Sequence, residues 1–235
     1  IIEKIDIGGI SLIRAAAKNY QDVAIVASRN DYPFFLELIQ TKQGATELED
    51  RKELARRGFL VSSHYDTAIF NYFNLGVQEP LFKHSLIQHE TLRYGENPHQ
   101  KAALYIPNGP HIRGIAQGQQ VQGKELSYNN YNDADAALEL AAEFRGQDPA
   151  VVIVKHANPC GVAQGSSLLE AWTGALQCDD VSAFGGIVAV NVPLDGPTAE
   201  AICQIFTEVV VAPAADEAAI AAFARKKNLR LLLTG

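Results

Sequence analysis

Lys155 and His156 stand side by side at the end of an apolar run, Ala150-Val151-Val152-Ile153-Val154. An imidazole takes or gives a proton near neutral pH. An adjacent ammonium favours the neutral ring and steadies negative charge that develops beside it. The pair is a candidate acid–base site, although a Lys-His dipeptide solvated at a strand end fits equally well. A second dense segment is Leu92-Arg93-Tyr94-Gly95-Glu96-Asn97-Pro98-His99-Gln100. The forked guanidinium of Arg93 suits a phosphate or carboxylate, and Tyr94 adds a hydrogen bond or a stacking face. A third is Ser182-Ala183-Phe184-Gly185-Gly186. There paired glycines let backbone approach a ligand and Phe184 offers a flat ring, or they simply make a tight turn before a strand with a core phenylalanine. Near the start, Asp6-Ile7-Gly8-Gly9 leads into a helix pattern and reads as an anion-binding turn, with Lys18 on the same helix face as Ser11. Packing accounts for such a turn as readily as function does.

The elements that must carry these residues follow from periodicity and breakers. Residues 150–154 read as a buried strand, with Asn158-Pro159 and Gly161 turning the chain away after it. In an open α/β sheet, ligands bind beyond the carboxyl ends of strands, which puts Lys155 and His156 at such a mouth. Earlier in the chain, Ser11 is expected to cap a helix through Lys18, and Val23-Ala24-Ile25-Val26-Ala27 reads as a parallel strand. Helices are expected over 32–40, 46–57 and 62–74, with Pro80 breaking the pattern. Residues 92–100 read as a loop. Asn132 or Asp133 is expected to cap a helix through Phe144, and further helices fall at 167–177, 197–207 and 216–227. Strands are expected at 187–190, 209–211 and 229–233, the last with nothing after it to cover it. Strands alternating with helices predict an α/β layered fold.

Hydrophobic residues make up 47% of the chain and charged residues 20%, enough for a packed core. A net charge of -7 argues against a general nucleic-acid binder, while a local cationic pocket still admits an anionic small molecule. No apolar stretch approaches bilayer length and no secretory signal is visible, so no membrane partner is expected. Cys160, Cys178 and Cys203 are scattered, which predicts a reducing, cytoplasmic compartment. No metal site is expected. His64, His84, His89, His99 and His111 lack ligand spacing, and Pro159-Cys160 lacks the second cysteine and the His-x-Glu that a zinc deaminase needs. The opening Ile1-Ile2-Glu3-Lys4-Ile5-Asp6-Ile7, the absence of methionine and the apolar finish read as a piece of a longer polypeptide.

RYGENPHQ, KHANPCG and SAFGGIVAVN, in this order and spacing, resemble the bifunctional purine-biosynthesis family that joins an IMP cyclohydrolase to an AICAR transformylase. The segment IDIGG followed by RAAAKN resembles the end of its cyclohydrolase half, and the resemblance covers essentially the whole chain. It implies residues 1–84 as the later part of a methylglyoxal-synthase-like cyclohydrolase domain. It implies residues 85–235 as the first part of the transformylase, a cytidine-deaminase-like α/β unit without zinc. Formyl transfer from the cosubstrate 10-formyltetrahydrofolate to AICAR, then ring closure to IMP, is the implied chemistry. His156 matches the base and Lys155 the residue that stabilises the transition state. Arg93, Tyr94, Asn130, Phe184, Gly185 and Glu208 match AICAR-binding positions, Glu208 standing where some members carry aspartate. Asp6 and Ile7 match IMP-contacting positions, and Lys18 matches the lysine of ring closure. Nucleotide and folate substrates and a homodimer are implied, the transformylase sites forming across the dimer. The alternative is a fragment that binds nucleotide without turnover.

Overall fold

The computed structural model describes residues 1–77, 81–107 and 114–235; Pro80 and His111 lie outside these. The chain forms two compact units, Ile1–Ser85 and Leu86–Gly235.

Among the described residues the first unit is helical: α1 (Gly8–Lys18), α2 (Tyr32–Thr41) and α3 (Leu48–Phe73). The helices expected at 46–57 and 62–74 are one continuous helix. Small residues let α1 and α3 approach closely: a Cβ on Gly58 would stand 3.3 Å from the Cβ of Ala17. Leu54, fully buried, sits one turn before Gly58. Two sequence expectations fail here. Residues 23–27 are half-buried but form no strand, because the described part of this unit offers no partner for a ladder. The N-cap position of α1 is Ile7, and the side chain that accepts its first amides is Asp6 rather than Ser11. The Gly9 and Ile10 amides donate to the Asp6 carboxylate at 3.1 and 3.0 Å, and a Cβ at Gly9 would collide with that carboxylate. Ser11 instead donates back to the Ile7 carbonyl. The helix start therefore already holds an anion from its own chain, and the anion-binding turn is corrected to a self-capped one.

The second unit is built on a six-stranded mixed sheet. Its strands are β3 (Gln119–Gln122), β4 (Ala150–Lys155), β5 (Asn158–Gln164), β6 (Gly186–Val190), β7 (Thr207–Ala212) and β8 (Arg230–Leu233), in the spatial order β3-β8-β7-β6-β4-β5. β6, β7 and β8 are parallel, while β4 runs antiparallel to both β5 and β6. A separate antiparallel pair comprises β1 (Leu86–Leu92) and β2 (Ala102–Pro107). Side chains alternate across the sheet. Val151 and Ile153 join Trp172 and Phe223 under α5 (Leu168–Cys178), α7 (Gly196–Ile202) and α8 (Glu217–Ala224). Val152 and Val154 join Ala134, Ala137 and Ala141 of α4 (Tyr128–Ala142) on the other face. Burial on both faces explains the uninterrupted apolar run of β4. The α/β class holds.

The finer expectations in this unit divide. Ser167 caps α5, and β4, β6 and β7 fall where expected. α4 starts earlier than expected and is capped by Ser127, whose hydroxyl accepts from the Asn130 amide while the Asn130 side chain accepts from the Ser127 amide. Asn132 and Asp133 therefore lie inside the helix. α7 ends at Ile202, and Thr207 already belongs to β7. The final strand is not bare: β8 lies between β3 and β7, with Leu231 and Leu232 buried. Asn158-Pro159 and Gly161 do not turn the chain. They lie in β5, an edge strand where a proline withholds no needed donor. Gly161 is required there, because a Cβ would collide with the Ala175 carbonyl of α5. Gly161→Ala is expected to destabilise the chain by about 1–3 kcal/mol through overpacking. Urea unfolding followed by Trp172 fluorescence measures this, and an unchanged midpoint would contradict the close β5–α5 contact.

Candidate active site

Because β4 is antiparallel to its neighbour, its carboxyl end lies beside the amino ends of β6 and β7. The site is thus not the carboxyl-end crevice of a parallel sheet that the sequence suggested. It collects Lys155 and His156 from the end of β4, Phe184, Gly185 and Ile187 from the start of β6, Glu208 from the start of β7, and Ser127, Asn129, Asn130 and Asp133 from the start of α4. These residues and Tyr94 line a cavity of about 440 Å³. An adjoining cavity of about 470 Å³ shares Tyr94, Ser127, Asn130 and Glu208 with it and adds Arg93, Lys124 and Arg230. The two make one groove, with Arg93, Lys124 and Arg230 set among Glu90, Glu125 and Glu208 at one end and the Lys-His pair at the other.

A two-residue hairpin loop, His156-Ala157, joins β4 to β5, since Lys155 pairs with Asn158. Both loop residues are left-handed, with φ of 54° and 55°. The Lys155 ammonium donates to the Phe184 carbonyl at 2.8 Å, which holds the charge against the β6 entry and leaves donors free for a ligand. Gly185 is left-handed at φ 76°, and its amide donates to the Phe206 carbonyl at 2.7 Å. That turn leaves the exposed rings of Phe184 and Phe206 5.4 Å apart, with Phe184 lining the cavity and available to a planar ligand. On the far wall, buried Asn130 donates to Glu208 Oε2 at 2.7 Å, with Arg230 Nη1 4.0 Å from the same oxygen. Glu208 is thereby fixed as an acceptor facing the groove.

Arg93 follows the last residue of β1, and its guanidinium lies 5.0 Å from the centre of the Tyr94 ring. The loop beyond is closed by the Gly95 amide on the Gln100 carbonyl and the Asn97 amide on the Gln100 side chain. A Cβ on Gly95 would press on Gln100 at 2.9 Å. The loop expected at 92–100 starts at Arg93, because Leu92 ends β1, and it is a shaped one. Lys155, His156, Tyr94, Asn130, Phe184, Gly185 and Glu208 come together in one cavity, with Arg93 in the next. Asp6 and Lys18 do not converge. They flank opposite ends of α1, roughly 15 Å apart along its axis at 1.5 Å per residue.

Sequence reading overlooked Ser127, Arg230 and the Glu90–Tyr131 pair. The Ser-x-x-Asn spacing signals the first, while nothing local marks the others. Among the described residues no group of three or more His, Cys, Asp or Glu is placed to hold a metal. Burial pushes the Cys160 thiol up, which disfavours the thiolate that a ligand or nucleophile needs. Tyr131 donates to Glu90 Oε2 at 3.2 Å, and burial first, then the Glu90 charge, pushes its hydroxyl up to about 12. A phenol harder to ionise when folded contributes stability that is whole below its ordinary value near pH 10 and lost as pH rises toward about 12. Glu90→Gln is expected to lower the Tyr131 pKa part of the way, since burial remains. NMR titration of the Tyr131 ring tests this, and a return to the ordinary value would show that burial is not the larger cause.

Comparison with known proteins completes the description. The family model described as the AICARFT/IMPCHase bienzyme matches residues 16–235. The bifunctional purine biosynthesis protein PurH of Dinoroseobacter shibae is 53% identical over 237 residues, covering 99% of this chain and 45% of that protein. PurH of Rhodospirillum rubrum is 54% identical over 237 residues, covering 100% of this chain and 44% of that protein. PurH of Bradyrhizobium diazoefficiens is 53% identical over 241 residues, covering 100% and 45%. The chain thus spans about 45% of the length of these curated relatives. With nearly its full length matched by one family model and its motifs assembled around one groove, the chain belongs to the AICARFT/IMPCHase bienzyme family.

Proposed function

We propose that the chain is a segment of a bifunctional purine-biosynthesis enzyme. Residues 1–84 supply the later part of an IMP cyclohydrolase domain of methylglyoxal-synthase type. Residues 85–235 supply the first, zinc-free cytidine-deaminase-like unit of an AICAR transformylase. The carrying observation is that the Lys155-His156 hairpin and the Asn130–Glu208 pair open on one cavity, beside a second that holds Arg93.

In this reading the AICAR phosphate lies toward Arg93 and its base toward Phe184 and Gly185, with Tyr94, Asn130 and Glu208 as polar contacts. The 5-amino nitrogen attacks the formyl carbon of 10-formyltetrahydrofolate. A C–N bond forms, the bond from that carbon to folate N10 breaks, and His156 takes the amine proton, assisted by the neighbouring carboxamide. A proton passes to the departing N10, giving FAICAR and tetrahydrofolate. The Lys155 ammonium, steadied by the Phe184 carbonyl, stabilises the oxyanion of the tetrahedral intermediate. Ring closure of FAICAR to IMP with loss of water falls to the first unit, with Lys18 moving a proton and Asp6 and Ile7 contacting the nucleotide. A cytoplasmic homodimer, with transformylase sites shared between subunits, completes the proposal.

The second reading, nucleotide binding without turnover, draws on one observation: His156 is exposed at the hairpin tip. Formyl transfer to AICAR separates the two, measured for the chain alone and combined with the remaining part of a PurH relative. Transfer by neither would sink the enzyme reading. In a protein that contains this sequence and transfers formyl, His156→Ala is expected to lower transfer by roughly two to four orders of magnitude with cyclohydrolase turnover nearly unchanged. Equal loss of both activities would point to misfolding instead. Arg93→Lys is expected to weaken AICAR binding, because lysine lacks the bidentate fork. Unaltered affinity would remove Arg93 from the site.

A further inference from the structure

The hairpin that presents His156 is built from the wrong residues for its shape. A two-residue loop with positive φ at both positions favours Asn-Gly or Asp-Gly, and here it is His-Ala. Ala157 has only a methyl, with no polar group to compensate its left-handed backbone, so the conformation must be imposed from outside that side chain. The Asp133 carboxylate does this: Oδ2 accepts the His156 amide at 3.1 Å and Oδ1 accepts the Ala157 amide at 2.9 Å. Asn158 Nδ2 closes the loop from the other side on the His156 carbonyl at 2.6 Å. Asp133 lies one helical turn beyond Asn130, which holds Glu208. One face of α4 therefore grips both walls of the groove, β7 through Asn130 and the β4–β5 loop through Asp133.

We infer that Asp133 is a positioning residue: its carboxylate clamps the two amides of the strained His156-Ala157 turn and so sets where the His156 imidazole points. Both carboxylate oxygens of Asp133 are engaged by the turn amides, so it acts through the turn. As a role in catalysis this rests on the transformylase reading of the same groove; as a statement about the turn it stands alone.

The test starts with amide hydrogen exchange in the whole chain. Asp133→Ala is expected to make the His156 and Ala157 amides exchange about 10-fold faster or more, as loss of charge-assisted hydrogen bonds requires. Unchanged exchange at both amides would overturn the inference. In a protein that contains this sequence and transfers formyl, the same variant is expected to lower kcat roughly 10- to 100-fold, with KM for AICAR held within about 2-fold. Ala157→Gly then supplies the decisive arm. Glycine enters the left-handed region freely, so adding it to Asp133→Ala should recover most of the lost rate. A double variant no faster than Asp133→Ala shows that the loss is not one of turn geometry, and the positioning role falls. If Asp133→Ala does not fold, Asp133→Asn keeps one carbonyl acceptor and should deprotect one of the two amides; full protection of both overturns the clamp. Absence of formyl transfer from the unsubstituted protein would remove the transformylase reading while leaving the exchange result to be judged separately.

Discussion

The reversed direction of β4 is the constraint on which the groove depends. Three parallel strands, β6, β7 and β8, present their amino ends on one edge of the sheet. A fourth parallel strand would carry its carboxyl-end residues to the opposite edge. By running antiparallel, β4 delivers Lys155 and His156 to the same edge as Phe184, Gly185, Glu208 and Arg230. The start of α4 reaches that edge as well, so a capping box, a buried amide and a carboxylate become walls of the groove. The cost of the arrangement falls on the loop after β4. The chain must reverse in two residues, and neither of them is glycine.

Apolar burial holds this geometry and polar contacts orient it. β4 is buried along its apolar length between α4 on one face and α5, α7 and α8 on the other, so its end cannot drift. The polar contacts at the edge are few and specific: Asn130 on Glu208, Asp133 on the hairpin amides, and Lys155 on the Phe184 carbonyl. Of these only the Asn130–Glu208 contact is partly buried, and there an unpaired group is expensive, while the exposed contacts orient the hairpin and the Lys155 ammonium. The first unit lacks such convergence among its described residues. Its Asp6 carboxylate accepts the first amides of α1, and Lys18 stands at the helix's other end.

What could be read from the sequence followed from local signals. The buried run of β4, the serine that caps α5, the glycine-rich entry to β6 and the shaped loop at 93–100 each announce themselves in a few residues. The failures arise where distant chain decides. Asn158-Pro159 looks like a turn, yet pairing with β4 and the grip of Asp133 place the turn at His156-Ala157 and leave the proline on an edge strand. The last strand looked uncovered because β3, a run of glutamines and one valine more than a hundred residues earlier, carries no strand signature. Residues 23–27 carry that signature without a partner to satisfy it. Asp133 was legible as a helix-cap candidate but not as the acceptor for a loop on another element.

The central claim is that one groove binds one nucleotide between Arg93 and His156. The most direct measurement is amide chemical-shift perturbation of the isotopically labelled chain on adding AICAR. A shared groove requires that resonances of Arg93, Tyr94, Asn130, His156, Gly185 and Glu208 shift together with a single saturation curve. Shifts confined to one of the two cavities, or centred on residues outside both, would contradict it.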